Sequence, residues 1–484
     1  MHRAARGIMS RARARRTCLT AGVTLALAVS GCRSGPPVDP GSSAARTTFV
    51  RGSVFRPDGT VLEDGMVAVE GNRIVRVASA GEVRVPPGAA VLGGAEKWVL
   101  PGLIDAHVHF FQSGGLYTRP DVIDLRTRVP YAREVERIQA TLPDTFRRYL
   151  RAGITSVVDF GGPLRNFEVR ALAGQSPLAP RVVVAGPLLA SVARPQLDLG
   201  DPPIIQVLEP EKARALVRSE ASHKPDFIKL WWVVRPGGNA AEWHPVARAA
   251  IEEAHTAGLR VAVHATELET ARTAVLTGAD VLVHSVIDID VDAEFVSLLR
   301  ERKVPVVTTL AVFEGYREVL THEFRPRPAD TELASPEVVA TVLEPFQTPD
   351  TRHTRGTLSN STRLRNTRRL WDGGVTVAAG SDAGNIGTFH ASGLHRELEL
   401  LVEAGLTPAQ ALVAATVNAA RVMGRPDLGS VAPGQIADLL VVDADPLLDI
   451  HNVRHIQWVM KEGVAHRVEE LLPPTFGGGA FPSR

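Results

Sequence analysis

The chain has 484 residues, 44% of them hydrophobic and 22% charged, with a formal net charge of +1. That length suits one large domain plus a smaller one, and the balanced charge leaves no electrostatic footprint for nucleic acid. Cys18 and Cys32 are the only two cysteines, which excludes a disulfide framework and a cysteine-rich zinc site, so a metal would fall to His, Asp, Glu or Lys.

Six arginines from Arg3 to Arg16 form a basic region, and residues 19–30 follow as an apolar run of signal-peptide size. The run ends Val29-Ser30-Gly31-Cys32, which resembles the bacterial lipobox. The resemblance implies a signal peptide over 1–32 and a lipid on Cys32; Met9 is an alternative start to Met1. Arg33 stands where an aspartate would retain such a protein at the inner membrane. The expected location is therefore the outer membrane, facing the periplasm, with membrane contact only through the anchor. Residues 33–46, rich in Gly, Pro and Ser, read as a flexible tether.

Residues 47–54 and 66–77 alternate or run apolar between turn signals at Pro57-Asp58-Gly59 and Glu70-Gly71-Asn72. This is the pattern of short antiparallel strands. Residues 434–443 and 456–463 have the same character. The expectation is one small composite β-sandwich built from 47–100 and 429–471, with a tail at 472–484. Between them, 101–428 alternates strands with amphipathic helices, as in stacked βα units. The first strand leads into His107. The others fall at 154–160, 181–185, 227–231, 260–264, 281–284, 304–309 and 375–382, with helices at 134–152, 210–222, 247–257, 267–277 and 395–404. Eight such units fit a closed (β/α)₈ TIM barrel, an α/β fold. A doubly wound sheet often carries a Gly-rich phosphate loop after its first strand, and none follows here. Residues 311–366 exceed an ordinary connection and read as a lid or a substrate loop. Arg325, Arg327 and Arg352 in that stretch are candidate anion contacts, with solvated surface charge the commoner role for each.

The stretch Leu100-Pro-Gly-Leu-Ile-Asp-Ala-His-Val-His-Phe110 organises the middle of the chain. His107 and His109 are two apart, so a strand aims both imidazoles to one face. In a barrel of this kind the chemistry sits where strands end. Five apolar runs end on, or carry, a metal-capable side chain: His107 and His109, then Lys229, His264, His284 and Asp382. Each alone has a plain structural explanation, a hydrogen-bonded core histidine or a turn-capping aspartate. Six such coincidences at strand ends are far less economical than one site. His390 and His395, past the Asp382 strand, are substrate-contact candidates with a structural role equally open.

The run of motifs resembles the amidohydrolase superfamily, in particular its imidazolonepropionase-like and prolidase-like branch. The likeness rests on PGLIDAHVH at 101–109, FIKL at 227–230, VAVHA at 261–265, VLVHS at 281–285, AAGSDAG at 378–384 and GSVAPGQIADLLVVD at 429–443. It implies a pair of divalent metal ions, zinc by default for a His and carboxylate shell. His107, His109 and Asp382 would hold one metal and His264 and His284 the other, with a carbamate formed on Lys229 bridging both. It further implies attack by a metal-bridging hydroxide on a C–N bond, with Asp382 as general base and acid. The implied substrate is a small amide, cyclic amide or dipeptide. Tyr117, Arg194, Arg235, Tyr316 and His390 are candidate substrate contacts near expected strand ends. The alternatives are a prolidase-like dipeptidase specifically, a single-metal deacetylase or deaminase, and a noncatalytic binding lipoprotein that keeps the fold. A homo-oligomer is compatible with exposed barrel helices.

Overall fold

The computed structural model describes residues 47–235, 237–347 and 360–471. The expected signal peptide, Cys32, the tether, Arg352 and the 472–484 tail lie outside the described residues.

The described chain opens with β1 (Thr48–Phe55), β2 (Val61–Glu70), β3 (Arg73–Ser79) and β4 (Val91–Pro101). Then β5 (Leu103–Val108), α1 (Tyr131–Arg151), β6 (Ile154–Asp159), α2 (Asn166–Gly174), β7 (Arg181–Val184), β8 (Leu188–Ala190) and β9 (Ile204–Gln206) follow. The alternation continues with α3 (Pro210–Ala221), β10 (Phe227–Trp231), α4 (His244–Thr256), β11 (Arg260–His264), α5 (Leu268–Thr277) and β12 (Val281–Val283). Next come α6 (Ala293–Arg302), β13 (Val306–Val307), α7 (Leu310–Leu320), α8 (Pro328–Leu333), α9 (Pro336–Val342) and a helix at Ser361–Asp372. After β14 (Val377–Ala378) and the helix Ser392–Glu403, the chain closes on β15 (Leu439–Val442), β16 (Ile456–Lys461) and β17 (Val464–Arg467). The 311–366 stretch thus carries helices of its own.

Both ends of the described chain meet in one seven-stranded mixed sheet, ordered β17-β16-β15-β4-β1-β2-β3. Its ladders are antiparallel except β1 with β4. The sandwich expected from both termini is therefore a single sheet by its hydrogen bonds. The joint is β4, which pairs β1 at Phe49↔Val91 and β15 at Val441↔Val99. Only its end, Trp98 to Leu100, was apolar enough to read as extended, because Gly93, Gly94, Glu96 and Lys97 break the alternation. The β1–β4 approach requires Gly52, where a Cβ would meet the Lys97 carbonyl oxygen at 2.6 Å. Val50, Val54, Val67, Val99, Leu439 and Val441 pack one face.

The middle strands are parallel and form two arcs, β5-β6-β7 and β14-β13-β12-β11-β10-β8-β9. Single bridges link the arcs, Val108↔Ala383 between β5 and the turn after β14, and Ala185↔Phe227 between the end of β7 and β10. Buried side chains from both arcs share one core: Ile104, Val158, Phe160, Phe227, Ala262, Val283, Val307 and Ala378 among them. Helices pack against these strands through apolar side chains, as Leu142 and Phe146 do against Val157 and Val182. α1 shows why: Val135, Ile138, Leu142, Phe146 and Tyr149 recur every three or four residues and are buried, the stripe of a helix with one apolar face. The last two ladders are shorter than the sequence suggests. The ladders stop at Val307 and Ala378, and past those ends the chain turns off at Thr309 (φ 49°) and Asp382 (φ 58°), both left-handed residues.

Candidate metal centre

β5 ends at His107 and His109, and the carboxylate of Asp105 ties that strand to the turn after β14. It accepts from Ser381 N (2.8 Å), Ser381 Oγ (2.6 Å) and His107 N (3.3 Å). Burial pushes its pKa up to about 7 despite those bonds. Asp382 N in turn donates to His107 O at 2.7 Å. This clasp brings Asp382, some 275 positions away along the chain, against the two imidazoles. His107 Nε2 lies 3.3 Å from His109 Nε2, and Asp382 Oδ1 lies 3.5 and 3.3 Å from those two nitrogens. Ligands at about 2.0–2.1 Å from a tetrahedral ion stand roughly 3.3–3.4 Å apart, so the three atoms outline one face of such a shell. His109 Nδ1 donates to Gly161 O at 2.7 Å, which leaves the Nε2 lone pair facing that face.

The ends of β10, β11 and β12 supply the other half. The His264 and His284 ring centroids are 4.4 Å apart, and His284 is 5.1 Å from His107. Thr309 Oγ1 pairs with His284 Nδ1 at 2.6 Å, which orients the ring. His107, His284 and Asp382 also form a wider candidate metal group, with one ligand atom from each within 4.8 Å of the others. Lys229 Nζ is buried, has no hydrogen-bond partner, and sits 5.1 Å from the Phe160 ring centroid. Burial holds the lysine below its ordinary pKa and Asp382 above its own. Burial also drives all four imidazoles far toward the neutral form, the form with a lone pair to give a metal. A cluster of neutral imidazoles around an orphaned amine fits a divalent metal site. As a metal-free structural core it would leave that amine buried with no partner.

All six side chains line one cavity of about 340 Å³ whose remaining wall is mostly apolar, with Phe111, Leu188, Ile204, Trp231, Val312 and Phe313. A larger hollow of about 480 Å³ between α1 and α2 contains none of the six, and the chemistry selects the smaller one. Of the other expected contacts, Tyr316 lines the cavity. Arg194 sits at its rim, 4.9 Å over the Trp231 ring. Tyr117 lies outside the cavity lining and donates to Glu344, while Arg235 is exposed. His390 is buried behind the site. Its Nε2 donates to Gln112 O and its Nδ1 pairs with Tyr149 OH, both at 2.8 Å, and its ring stacks on Phe110. With both nitrogens engaged there it holds the scaffold and does not face the cavity. His395 Nε2 is likewise taken up by Ala152 O at 2.9 Å.

The family model described as the amidohydrolase family matches residues 98–465, from the end of β4 into β17. The chain belongs to the amidohydrolase family. It is similar to an uncharacterised protein of Mycobacterium tuberculosis, 28% identical over 370 residues covering 76% of this chain and 84% of that one. It is similar to the imidazolonepropionase of Streptomyces avermitilis, 26% identical over 421 residues, 81% of this chain and 85% of that one. Among solved structures it is similar to a prolidase complexed with N-methylphosphonate-L-proline, with a TM-score of 0.65 and 25% identity over 87% of this chain and 99% of that one. As an amidohydrolase the protein is a hydrolase acting on C–N bonds, with a buried His107, His284 and Asp382 group fit for a metal.

The amidohydrolase cavity also uses residues that the sequence reading passed over. Trp231 had a signal, since it stands two positions after Lys229 on the same strand and so shares its face. Arg119 and Asn385 had none, because loop residues carry no period. Arg119 is gripped by both oxygens of Asp121 (2.7 and 2.7 Å) and also donates to Tyr316 OH (3.1 Å) and Asn385 Oδ1 (2.8 Å).

Proposed function

We propose that this amidohydrolase cleaves a C–N bond of a small amide through a two-metal site held by His107, His109, Lys229, His264, His284 and Asp382. The observation that carries the reading is the near-tetrahedral face formed by His107, His109 and Asp382 beside an unpartnered Lys229. The two arcs are read as one closed (β/α)₈ ring. The two bridges between the arcs and a core shared by strands of both support that. Strand ends then converge on one mouth, as the chemistry requires.

Bound divalent metal, zinc by default, supplies a polarised substrate carbonyl and a water acidic enough to attack at neutral pH. The chain does the rest. Lys229, kept toward its neutral amine by burial, is nucleophilic enough to take up carbon dioxide as a carbamate. That turns an amine into an anion with two ligand oxygens. Asp382 accepts the proton of the attacking water and returns it to the leaving nitrogen. The apolar walls exclude other water and accept an apolar substrate body. The prolidase-like dipeptidase is the second reading. It is favoured by Arg119 on the cavity wall, where with Arg194 and a single Asp121 it forms a cluster of net positive charge suited to a free carboxylate. In the same reading the enzyme is tethered to the periplasmic face of the outer membrane through a lipid on Cys32. Labelled palmitate that stays bound after Cys32→Ser would rule the tether out.

The test is turnover of a dipeptide and cyclic-amide panel by wild type, by chelated enzyme and by Asp382→Asn. Turnover should stop with chelation and return with zinc or manganese. Asp382→Asn should lose about 10²–10⁴ in rate while keeping its circular dichroism. A folded, metal-free enzyme with full turnover would refute the metal reading, and near-normal turnover by Asp382→Asn would refute the proton role. Two ions per chain, against one, would separate this reading from a single-metal deacetylase or deaminase. A metal-loaded protein that turns over nothing would favour the noncatalytic binder.

A further inference from the structure

Asn385 stands three residues after Asp382 in the turn that follows β14, and it is 4% exposed. The orientation of its amide follows from its neighbours. Oδ1 receives Arg119 Nη1 and Tyr316 OH, each at 2.8 Å, and both are donors. Nδ2 therefore faces the other way, donating to Asp382 Oδ1 at 2.8 Å and to the Asp382 carbonyl at 3.1 Å. Arg119 is fixed behind it by Asp121, whose side chain is 1% exposed and which Arg194 also approaches at 3.2 Å. A hydrogen-bonded line thus runs from the loop after β5, through one amide, to the end of β14.

The two bonds from Nδ2 do different things. The bond to the Asp382 carbonyl braces a residue held at φ 58°, a conformation that is strained for a side chain with a Cβ. The bond to Oδ1 stops rotation about a soft terminal torsion. It holds Oδ1, and not Oδ2, against the His107 and His109 nitrogens at 3.5 and 3.3 Å. Oδ2 is left at 4.0 Å from His284 Nδ1, the freer oxygen of the pair.

We infer that Asn385 is the positioning residue for Asp382, with Arg119 and Tyr316 holding the Asn385 amide in its working orientation. Asn385 aims Oδ1 at the imidazole pair and leaves Oδ2 to carry the proton. The aiming role needs only a metal site; the proton role rests on the function proposed above.

The test uses the purified full chain as wild type, Asn385→Ala, Asn385→Asp and Tyr316→Phe. Asn385→Asp keeps the shape and the bonds from Arg119 and Tyr316, but turns the donor facing Asp382 into an acceptor. Zinc affinity, measured by competition with a chelator, should fall about 10- to 100-fold in both Asn385 variants and less than about threefold in Tyr316→Phe. At saturating zinc, kcat on an amide that wild type cleaves should fall about 10- to 100-fold in both Asn385 variants. KM should stay within about threefold, since the loss is confined to the aim of Asp382. In an Asn385→Ala background, Tyr316→Phe should add nothing to the loss, because its hydroxyl acts through the missing amide. Unchanged zinc affinity and kcat in folded Asn385→Asp would overturn the inference. So would a rise in KM alone, which would make Asn385 a substrate contact. If wild type cleaves no amide, the proposed function fails and the zinc titration alone still decides the aiming role.

Discussion

Glu397 gives the clearest quantitative handle on this fold. It lies on the helix Ser392–Glu403, is fully buried, and accepts from Thr308 Oγ1 and from Ala311 N at 2.8 Å. Burial is the main cause that pushes its pKa up from 4.5 to about 7. The neutral acid fits its surroundings: the protonated oxygen can donate to Thr308 Oγ1, whose own proton then goes to the Ala378 carbonyl at 3.4 Å. Glutamine has the same shape and the same donor and acceptor placement as that neutral form. The sign follows from proton counting. Between pH 4.5 and 7 the folded state holds a proton that the unfolded chain has lost, so stability falls as pH rises. The contribution is whole below pH 4.5 and gone above pH 7, at about 1.4 kcal/mol per unit, roughly 3 kcal/mol in all. Glu397→Gln should therefore match wild type at pH 4.5 to 5 and exceed it by an amount approaching roughly 3 kcal/mol at pH 8. Urea midpoints of both proteins at pH 5, 6, 7 and 8 measure the difference. A gap that does not change with pH would show that Glu397 is already ionised in the fold, and the argument from burial would be wrong.

Three other outcomes follow from single contacts. Gly380→Ala would place a Cβ 2.5 Å from Val307 Cγ1 and 2.8 Å from His107 N. The variant should lose zinc binding and unfold at a lower urea midpoint by about 1–3 kcal/mol or more; normal zinc uptake would show that β5 can shift. Tyr149→Phe strips His390 Nδ1 of its donor in a buried setting, which should lower stability by about 1–3 kcal/mol and leave kcat alone, since neither residue lines the cavity. A large fall in kcat would return His390 to the substrate. Lys229→Ala should lose metal and turnover together, and millimolar acetate or propionate should restore part of both by filling the place of the carbamate proposed on Lys229. Full metal content in the variant, measured by atomic absorption, would remove Lys229 from the ligand set.

The apolar runs made the strand ends legible, and so the histidines at 107, 109, 264 and 284. An apolar run followed by a polar, metal-capable residue has few explanations, and repeated down one chain it has fewer. What stayed hidden depended on partners far along the chain. His390 looked available because nothing beside it in sequence claims its nitrogens, yet Gln112 and Tyr149, both more than 240 positions away, do. Arg119 and Asn385 lie in loops, where no periodicity marks which face a side chain takes. β4 was obscured by its own glycines, of which Gly93 is demanded by the close approach to the Arg51 carbonyl of β1. The shortness of β13 and β14 was invisible because hydrophobic alternation does not mark where inter-strand hydrogen bonding stops.

Left-handed residues past the strand ends tie the fold to the chemistry. His284 (φ 77°), Thr309 (φ 49°) and Asp382 (φ 58°) follow the ends of β12, β13 and β14 at Val283, Val307 and Ala378, in a conformation that glycine would adopt at least cost. Each such residue costs of order 1–3 kcal/mol and persists only where its surroundings over-determine it. Here they do: His284 N donates to Val307 O at 2.8 Å, Asp382 N to His107 O at 2.7 Å, and Thr309 Oγ1 pairs with His284. A ladder fixes where a strand ends, but its side chains leave perpendicular to the sheet. A left-handed step past the strand end takes the side chain off that direction, and at His284 and Asp382 that side chain lines the cavity with the other imidazoles. Of the nine non-glycine described residues at positive φ, His284 and Asp382 are the two that line the metal cavity, where the strained backbone serves a site.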